Sequence, residues 1–186
     1  MIRNNVPLIF FLALLFLISN ISYLYADWQP AKEGNKIILI RHSIAPGSGD
    51  PPNFRINDCK TQRNLSQKGI EQSERIGELF KKNQIKIDQV LSSQWCRCKD
   101  TALYAFKNYK EFSALNSTFQ PPHDKNAKKQ IQELKDYIEK WNGRGGNLVL
   151  VTHYVIITAI TDVAPRSGEI VIIDKDYNTL STILTN

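Results

Sequence analysis

Short apolar runs rich in β-branched residues alternate along this chain with segments of helical periodicity, and no other feature constrains its fold as strongly. The clearest runs are 36–40 and 147–151. Unbroken apolar runs of this length are typical of strands buried on both faces. Their alternation with helices predicts a three-layer α/β domain, in which helices cover both faces of a mostly parallel sheet.

The remaining elements are predicted from side-chain periodicity and from residues that begin or end helices. Ser66 suits the N-cap of a helix. A helix over 100–108 should bury Ala102, Leu103 and Phe106. The C-terminal strands 170–173 and 180–184 flank a polar turn and predict a β-hairpin. The other predicted elements are strands at 88–91 and 112–115 and helices at 66–83, 125–141 and 154–160.

The first 26 residues have a different character from the rest of the chain. Arg3 is followed by an apolar run from Leu8 to Ser19 and by a polar stretch that ends at Ala26. This layout is that of a secretory signal peptide, whose apolar core has roughly 7–15 residues, whereas a membrane-spanning helix needs about 20. We predict a signal peptide over 1–26, one domain over 27–186, and an exported protein that is periplasmic or secreted. The alternative is an uncleaved N-terminal anchor, which would be the only membrane contact.

Charge and cysteine content limit the classes of partner and cofactor. The 186 residues carry a formal net charge of +6, which suits an anionic substrate; nucleic acid is not an expected partner of an exported protein. The three cysteines are Cys59, Cys96 and Cys98. An oxidising compartment favours a disulfide between Cys59 and one of the other two. Their spacing does not suit structural zinc, so we expect no metal site at the cysteines.

Polar pairs follow three of the predicted strands. Arg41 and His42 follow the first, Ser92 and Ser93 end the strand at 88–91, and His153 follows the strand at 147–151. The carboxyl ends of parallel strands meet at one edge of a sheet, where ligands of α/β proteins bind. The sequence therefore predicts an active site at this edge.

These residue types suit phosphoryl transfer. A neutral histidine can attack phosphorus and form a phosphohistidine, and the planar donor fork of arginine matches phosphate oxygens. Nearby arginines disfavour the imidazolium form of a histidine. Arg41, His42, Arg97 and His153 would form a coherent phosphate pocket if the fold brings them together.

Three segments resemble motifs of the histidine phosphatase superfamily, which has the phosphoglycerate mutase-like fold. They are Leu39–His42, Ser92–Ala102 and Val149–His153, in the order that this family shows. The resemblance extends from about Lys36 to the C-terminus. It implies that His42 is the nucleophile, that Arg41, Arg97 and His153 bind the phosphoryl group, and that no cofactor takes part. We add Ser43 and Arg63 as candidate substrate-binding residues, with a surface or structural role as the alternative for Arg63.

The closer resemblance and the departures from the family pattern concern the substrate and the general acid. The signal peptide and the segment 62–69 are most similar to small exported bacterial phosphatases, among them relatives of lipopolysaccharide core heptose phosphatases. This similarity suggests a small phosphorylated substrate such as a sugar phosphate or the lipopolysaccharide core. The acidic residue that follows the third strand in mutases is absent at 114–118. Asp50 and Asp58 are the candidate acids. A non-catalytic periplasmic binder of phosphorylated sugars or glycans is the alternative function.

Overall fold

The computed structural model describes residues 27–185, so the predicted signal peptide lies outside the described residues. The helices are α1 (Gln29–Glu33), α2 (Gln67–Lys82), α3 (Cys96–Phe106), α4 (Ala127–Lys140) and α5 (Tyr154–Thr161). The strands are β1 (Ile37–Arg41), β2 (Ile87–Ser92), β3 (Lys110–Glu111), β4 (Asn147–Thr152), β5 (Ile170–Ile173) and β6 (Thr179–Ile183). Short 3-10 turns lie at Cys59–Thr61, Ser113–Leu115 and His123–Asn126.

The six strands form one sheet in the order β3-β2-β4-β1-β5-β6. Strands β3, β2, β4 and β1 pair in parallel, with Arg41 beside Thr152 and Ser92 beside Val151. The antiparallel strands β5 and β6 form the predicted C-terminal hairpin on the other side of β1. The predicted mostly parallel α/β architecture is confirmed.

Alternating side chains of β1 divide the core into two clusters, one on each face of the sheet. Ile38 and Ile40 are fully buried beneath α1, α2 and α3. Ile37 and Leu39 are fully buried on the opposite face, beneath α4 and α5. Because neighbouring residues of a strand point to opposite faces, a strand covered on both sides must be apolar at every position. The three-layer prediction from this run is confirmed.

Two details of the predicted elements are wrong. The expected strand at 112–115 is instead the 3-10 turn Ser113–Leu115, and β3 is only two residues long. Leu115 is fully buried against α4 and β4, so its apolar character reflects a core contact of a turn. Leu103 was expected to face the core but is 45% exposed. Helix α3 begins at Cys96, and the face that it packs against α2 buries Ala102 and Ala105 instead.

A disulfide joins the loop after β1 to the first residue of α3. It links Cys59 to Cys96 and leaves Cys98 as a buried free thiol, which selects one of the two pairings that the sequence left open. Within 27–185 no helix is both long and apolar enough to cross a membrane. The same residues contain no group of three or more histidine, cysteine or acidic side chains that could hold a metal ion.

Candidate active site

A cavity of about 110 Å³ lies at the carboxyl edge of the parallel strands. Its walls come from the ends of β1 and β4, the first turn of α3 and two loops. The lining residues are Arg41, His42, Gly47, Ser48, Gly49, Asp50, Arg63, Arg97, Ser117, Phe119, Gln120, His153 and Tyr154. The structure therefore brings together all four residues that the sequence motifs predicted to share a phosphate pocket.

His42 is held in a single orientation at the end of β1. Its backbone N–H donates to the Thr152 carbonyl, 2.9 Å away, and extends the pairing of β1 with β4. Its ring Nδ1 lies 2.9 Å from the carbonyl oxygen of Ser43. A carbonyl only accepts hydrogen bonds, so Nδ1 carries the proton and Nε2 keeps a free lone pair. The ring is thus in the tautomer that a nucleophilic histidine requires.

Electrostatics favour the neutral form of His42. Burial lowers its pKa well below the usual histidine value, and the positive charges of Arg97, Arg41 and Arg63 lower it further. The bond to the Ser43 carbonyl acts in the opposite direction but is outweighed. An imidazolium has no lone pair for attack, so this environment keeps His42 in the neutral form that a nucleophilic role would require.

His153 faces His42 across the cavity, with 5.4 Å between the two ring centroids. Its Nε2 lies 3.0 Å from the Ser93 hydroxyl and 3.4 Å from the Cys98 sulfur, and its Nδ1 lies 3.5 Å from Arg97 Nη2. Burial lowers the pKa of His153 well below its usual value, as does the charge of Arg97. His153 is therefore neutral, and Ser93, at the end of β2, positions its ring.

Arg97 is the most enclosed cation of the site. It lies in the first turn of α3 and is only 3% exposed. Its Nη1 donates to Asp50 Oδ1 over 2.7 Å, and its Nη2 donates to Asp50 Oδ2 over 3.1 Å. Such a bidentate fork is the geometry in which arginine binds either a carboxylate or a phosphate. The Nε–H group of Arg97 is buried and makes no hydrogen bond.

Arg41 and Arg63 contribute charge from the two sides of the cavity. Arg41 donates to the Pro165 carbonyl over 2.9 Å, and its guanidinium lies 5.4 Å from the ring centroid of Tyr154. Arg63 donates to the Gly49 carbonyl over 2.8 Å and to the Ala45 carbonyl. Arg63 therefore lines the cavity and also fixes the loop that closes it, which is the structural role named as the alternative, and its role in substrate binding stays a prediction.

Two of the candidate residues lie elsewhere. Ser43 is fully buried behind His42, where its N–H donates to Thr101 and its hydroxyl accepts from Ser73; it does not line the cavity. Asp58 pairs with the exposed Arg55 over 2.6 Å and caps the turn Cys59–Thr61, also outside the cavity. Asp50, the other candidate acid, is inside.

The sequence did not single out the aromatic wall of the cavity. Phe119 is 46% exposed and its ring centroid lies 5.8 Å from that of Tyr154. Tyr154 directly follows His153 at the start of α5, and this position in the sequence could have predicted that it lines the cavity. Phe119 lies in the 116–125 loop, whose path is set by tertiary contacts, and no local pattern marks it.

Comparisons with known proteins agree with this geometry. Residues 37–116 match the model of the histidine phosphatase superfamily (branch 1). No curated protein sequence matches the chain.

Solved structures share the fold at low sequence identity. A candidate phosphohistidine phosphatase SixA from Agrobacterium tumefaciens is 16% identical, has a TM-score of 0.58, and is aligned over 81% of this chain and 98% of its own. The protein histidine phosphatase SixA complexed with tungstate is 14% identical, with a TM-score of 0.56 and coverage of 81% and 97%. A candidate alpha-ribazole-5'-P phosphatase from Escherichia coli K-12 is 14% identical, with a TM-score of 0.57 and coverage of 82% and 97%. These likenesses show the phosphoglycerate mutase-like fold.

Proposed function

We propose that this chain is a histidine phosphatase that hydrolyses small phosphomonoesters through a phosphohistidine on His42; the match of residues 37–116 to the histidine phosphatase superfamily (branch 1) supports this proposal. The observation that carries the mechanism is the tautomer of His42. Its Nδ1–H is fixed on the Ser43 carbonyl, and its Nε2 lone pair is free in a cavity lined by Arg41, Arg63 and Arg97.

The chemistry follows from this arrangement in two steps. In the first, Nε2 of His42 attacks phosphorus in line, the bond to the leaving oxygen breaks, and the arginines stabilise charge on the equatorial oxygens. In the second, water attacks the phosphohistidine and inorganic phosphate leaves. His153, kept neutral by burial and by the charge of Arg97, faces the reacting histidine across the cavity.

The test compares wild type with His42→Ala in hydrolysis of p-nitrophenyl phosphate. His123→Ala is the matched control, because His123 lies outside the cavity, packed on Phe54 and Trp95. We expect His42→Ala to abolish turnover and His123→Ala to retain it. A phosphorylated wild-type intermediate should be trapped by rapid quenching in alkali, in which phosphohistidine is stable. If wild type hydrolyses no member of a broad phosphoester panel but still binds phosphate, the alternative of a non-catalytic binder is correct.

For the substrate class we propose a sugar phosphate, with a phosphorylated sugar of the lipopolysaccharide core as the specific candidate. The aromatic wall supports this class, because Phe119 and Tyr154 offer flat apolar surface on which the C–H face of a sugar ring can pack. Phe119→Ala should therefore lower kcat/KM for heptose or hexose phosphates more than for acyclic glycerol phosphate. An equal loss on both substrates would refute a ring-binding role.

We also propose that the enzyme is exported. The signal-like sequence of residues 1–26 supports this, as does the Cys59–Cys96 pairing, since disulfides form and persist in oxidising compartments. Expression in a bacterial host followed by fractionation and N-terminal sequencing tests the proposal. Recovery from the periplasm with a new N-terminus near Asp27 is the expected result, and full-length protein in the cytoplasm would contradict it.

A further inference from the structure

The phosphate-binding fork of Arg97 is already occupied by a side chain of the protein itself. Both terminal nitrogens of Arg97 donate to the two oxygens of Asp50, and the two side chains are only 3% and 6% exposed. Asp50 also accepts from Trp95 Nε1 over 2.9 Å and from the backbone N–H of Arg63 over 3.2 Å. A carboxylate thus satisfies the donors that a phosphoryl group would use.

The loop that carries Asp50 also restricts the cavity. The backbone N–H of Asp50 donates to the Gln120 side-chain oxygen over 3.0 Å, so the 47–50 loop and the 117–120 loop meet across the opening. The remaining volume of about 110 Å³ is below the roughly 300–1,000 Å³ usual for ligand sites. Phosphate and Asp50 cannot both occupy the fork of Arg97, so a substrate that binds this fork must displace Asp50.

We propose that Asp50 is an internal ligand of Arg97 which the substrate phosphoryl group displaces, and that the displaced carboxyl group then protonates the leaving oxygen. This inference rests on the proposed function, because it assigns the missing acid of that reaction. It joins two observations, the occupied fork and the absence of another acidic residue among those that line the cavity in the described part of the chain.

Displacement changes the protonation of Asp50 in the required direction. Burial, the largest influence, raises the pKa of this carboxyl, but hydrogen bonds and charge from Arg97, with a bond from Trp95, lower it overall. When Arg97 binds the substrate instead, the hydrogen bonds and charge that lower this pKa are lost and a phosphoryl anion becomes a neighbour, and both changes favour the neutral acid. The other charged or titratable groups around Asp50 are Arg41, Arg63, His42, His153, Tyr154 and Cys98.

The proton balance closes over both steps. Displaced Asp50 takes up a proton from solvent and transfers it to the leaving oxygen as the bond from phosphorus to that oxygen breaks and the bond to His42 Nε2 forms. The resulting carboxylate accepts a proton from the water that attacks the phosphohistidine. When Asp50 returns to Arg97 it releases to solvent the proton that it took up at the start, so the products are an alcohol and inorganic phosphate with no further reactant.

The first test measures orthovanadate affinity of wild type and Asp50→Asn by calorimetry. If the closed state, in which Asp50 occupies Arg97, outnumbers the open state by about ten to one, it raises the apparent Kd for vanadate about tenfold. Asp50→Asn removes this competition and should bind vanadate about tenfold more tightly. Gln120→Ala, which leaves the Arg97–Asp50 pair in place but frees the Asp50 backbone, should tighten binding by a smaller factor. Gln120→Ala also tests the displacement if Asp50→Asn does not fold. Unchanged or weaker binding in both variants would overturn the displacement.

The second test is a crystal structure of wild type with vanadate. Vanadate on Nη1 and Nη2 of Arg97, with the carboxylate of Asp50 moved away, is the expected result. Vanadate bound beside an intact Arg97–Asp50 pair would refute the exchange and would attribute tighter binding by Asp50→Asn to charge alone.

The third test separates the acid from the nucleophile. Asp50→Asn should lower kcat by about 10²–10⁴-fold for phenyl phosphate, whose leaving group needs a proton, and far less for 2,4-dinitrophenyl phosphate. An equal loss on both substrates would overturn the acid role, while an active wild type and an inactive His42→Ala would leave the proposed function standing. If wild type itself is inactive, the proposed function fails first.

Discussion

Reduction of the Cys59–Cys96 disulfide should cost this domain a large part of its stability. The two cysteines are 37 residues apart in the sequence. Loop-closure entropy for a ring of that length gives a loss of about 4 kcal/mol in the free energy of unfolding. A domain of this size loses about 2–4 °C in Tm per kcal/mol, so the melting temperature should fall by roughly 8–16 °C.

Urea unfolding of the protein, followed by tryptophan fluorescence with and without dithiothreitol, measures this effect. The reductant can reach the bond because Cys59 is exposed, although Cys96 is buried. The double variant Cys59→Ser, Cys96→Ser should have the unfolding midpoint of the reduced protein, and dithiothreitol should not change that midpoint. Cys98→Ser is the control that keeps the bond, since burial raises the pKa of the Cys98 thiol to about 12 and leaves it unreactive. Equal midpoints for oxidised and reduced wild type would refute the loop-entropy argument.

Three further predictions concern the site and its support. The pKa values of His42 and His153 lie below those of histidines in an unfolded chain, so the unfolded state binds more protons than the folded state as pH falls. In urea titrations the free energy of unfolding should be constant above about pH 7 and should fall by up to about 1.4 kcal/mol per pH unit for each histidine below about pH 6.5. A free energy of unfolding that rises on acidification would contradict the burial argument. Arg63→Met removes a charge that lowers the pKa of His42, so the acid limb of kcat/KM should move to higher pH; a shift to lower pH would be inconsistent with this electrostatic role. A Cβ at Gly69 would lie 2.1 Å from the Ile44 carbonyl oxygen, so Gly69→Ala should lose about 1–3 kcal/mol of stability in thermal denaturation, whereas the exposed Lys68→Ala should not.

Particular residues show how far the sequence could predict the site. Arg41, His42 and His153 were placed correctly because each follows a strand whose buried character is visible in its own residues, and parallel strands bring their carboxyl ends to one edge. Arg97 lies five residues beyond β2 and was found through its motif. Ser43 was predicted to bind substrate but does not line the cavity. Neighbouring side chains of an extended segment point to opposite sides, so the side chain of Ser43 points away from that of His42, toward Ser73.

The sequence by itself determined the layers of the fold, the order of the elements and the identity of the strand-end residues. These depend on local periodicity and on the apolar character of strands covered on both faces. Only the tertiary structure decided which cysteine pairs with Cys59, that Phe119 lines the cavity, and that Asp50 rather than Asp58 lies on Arg97. The physical reason is that loop positions are fixed by contacts between residues 37–70 positions apart in the sequence, such as Asp50 with Arg97 and with Gln120, and no local pattern records which partners will meet.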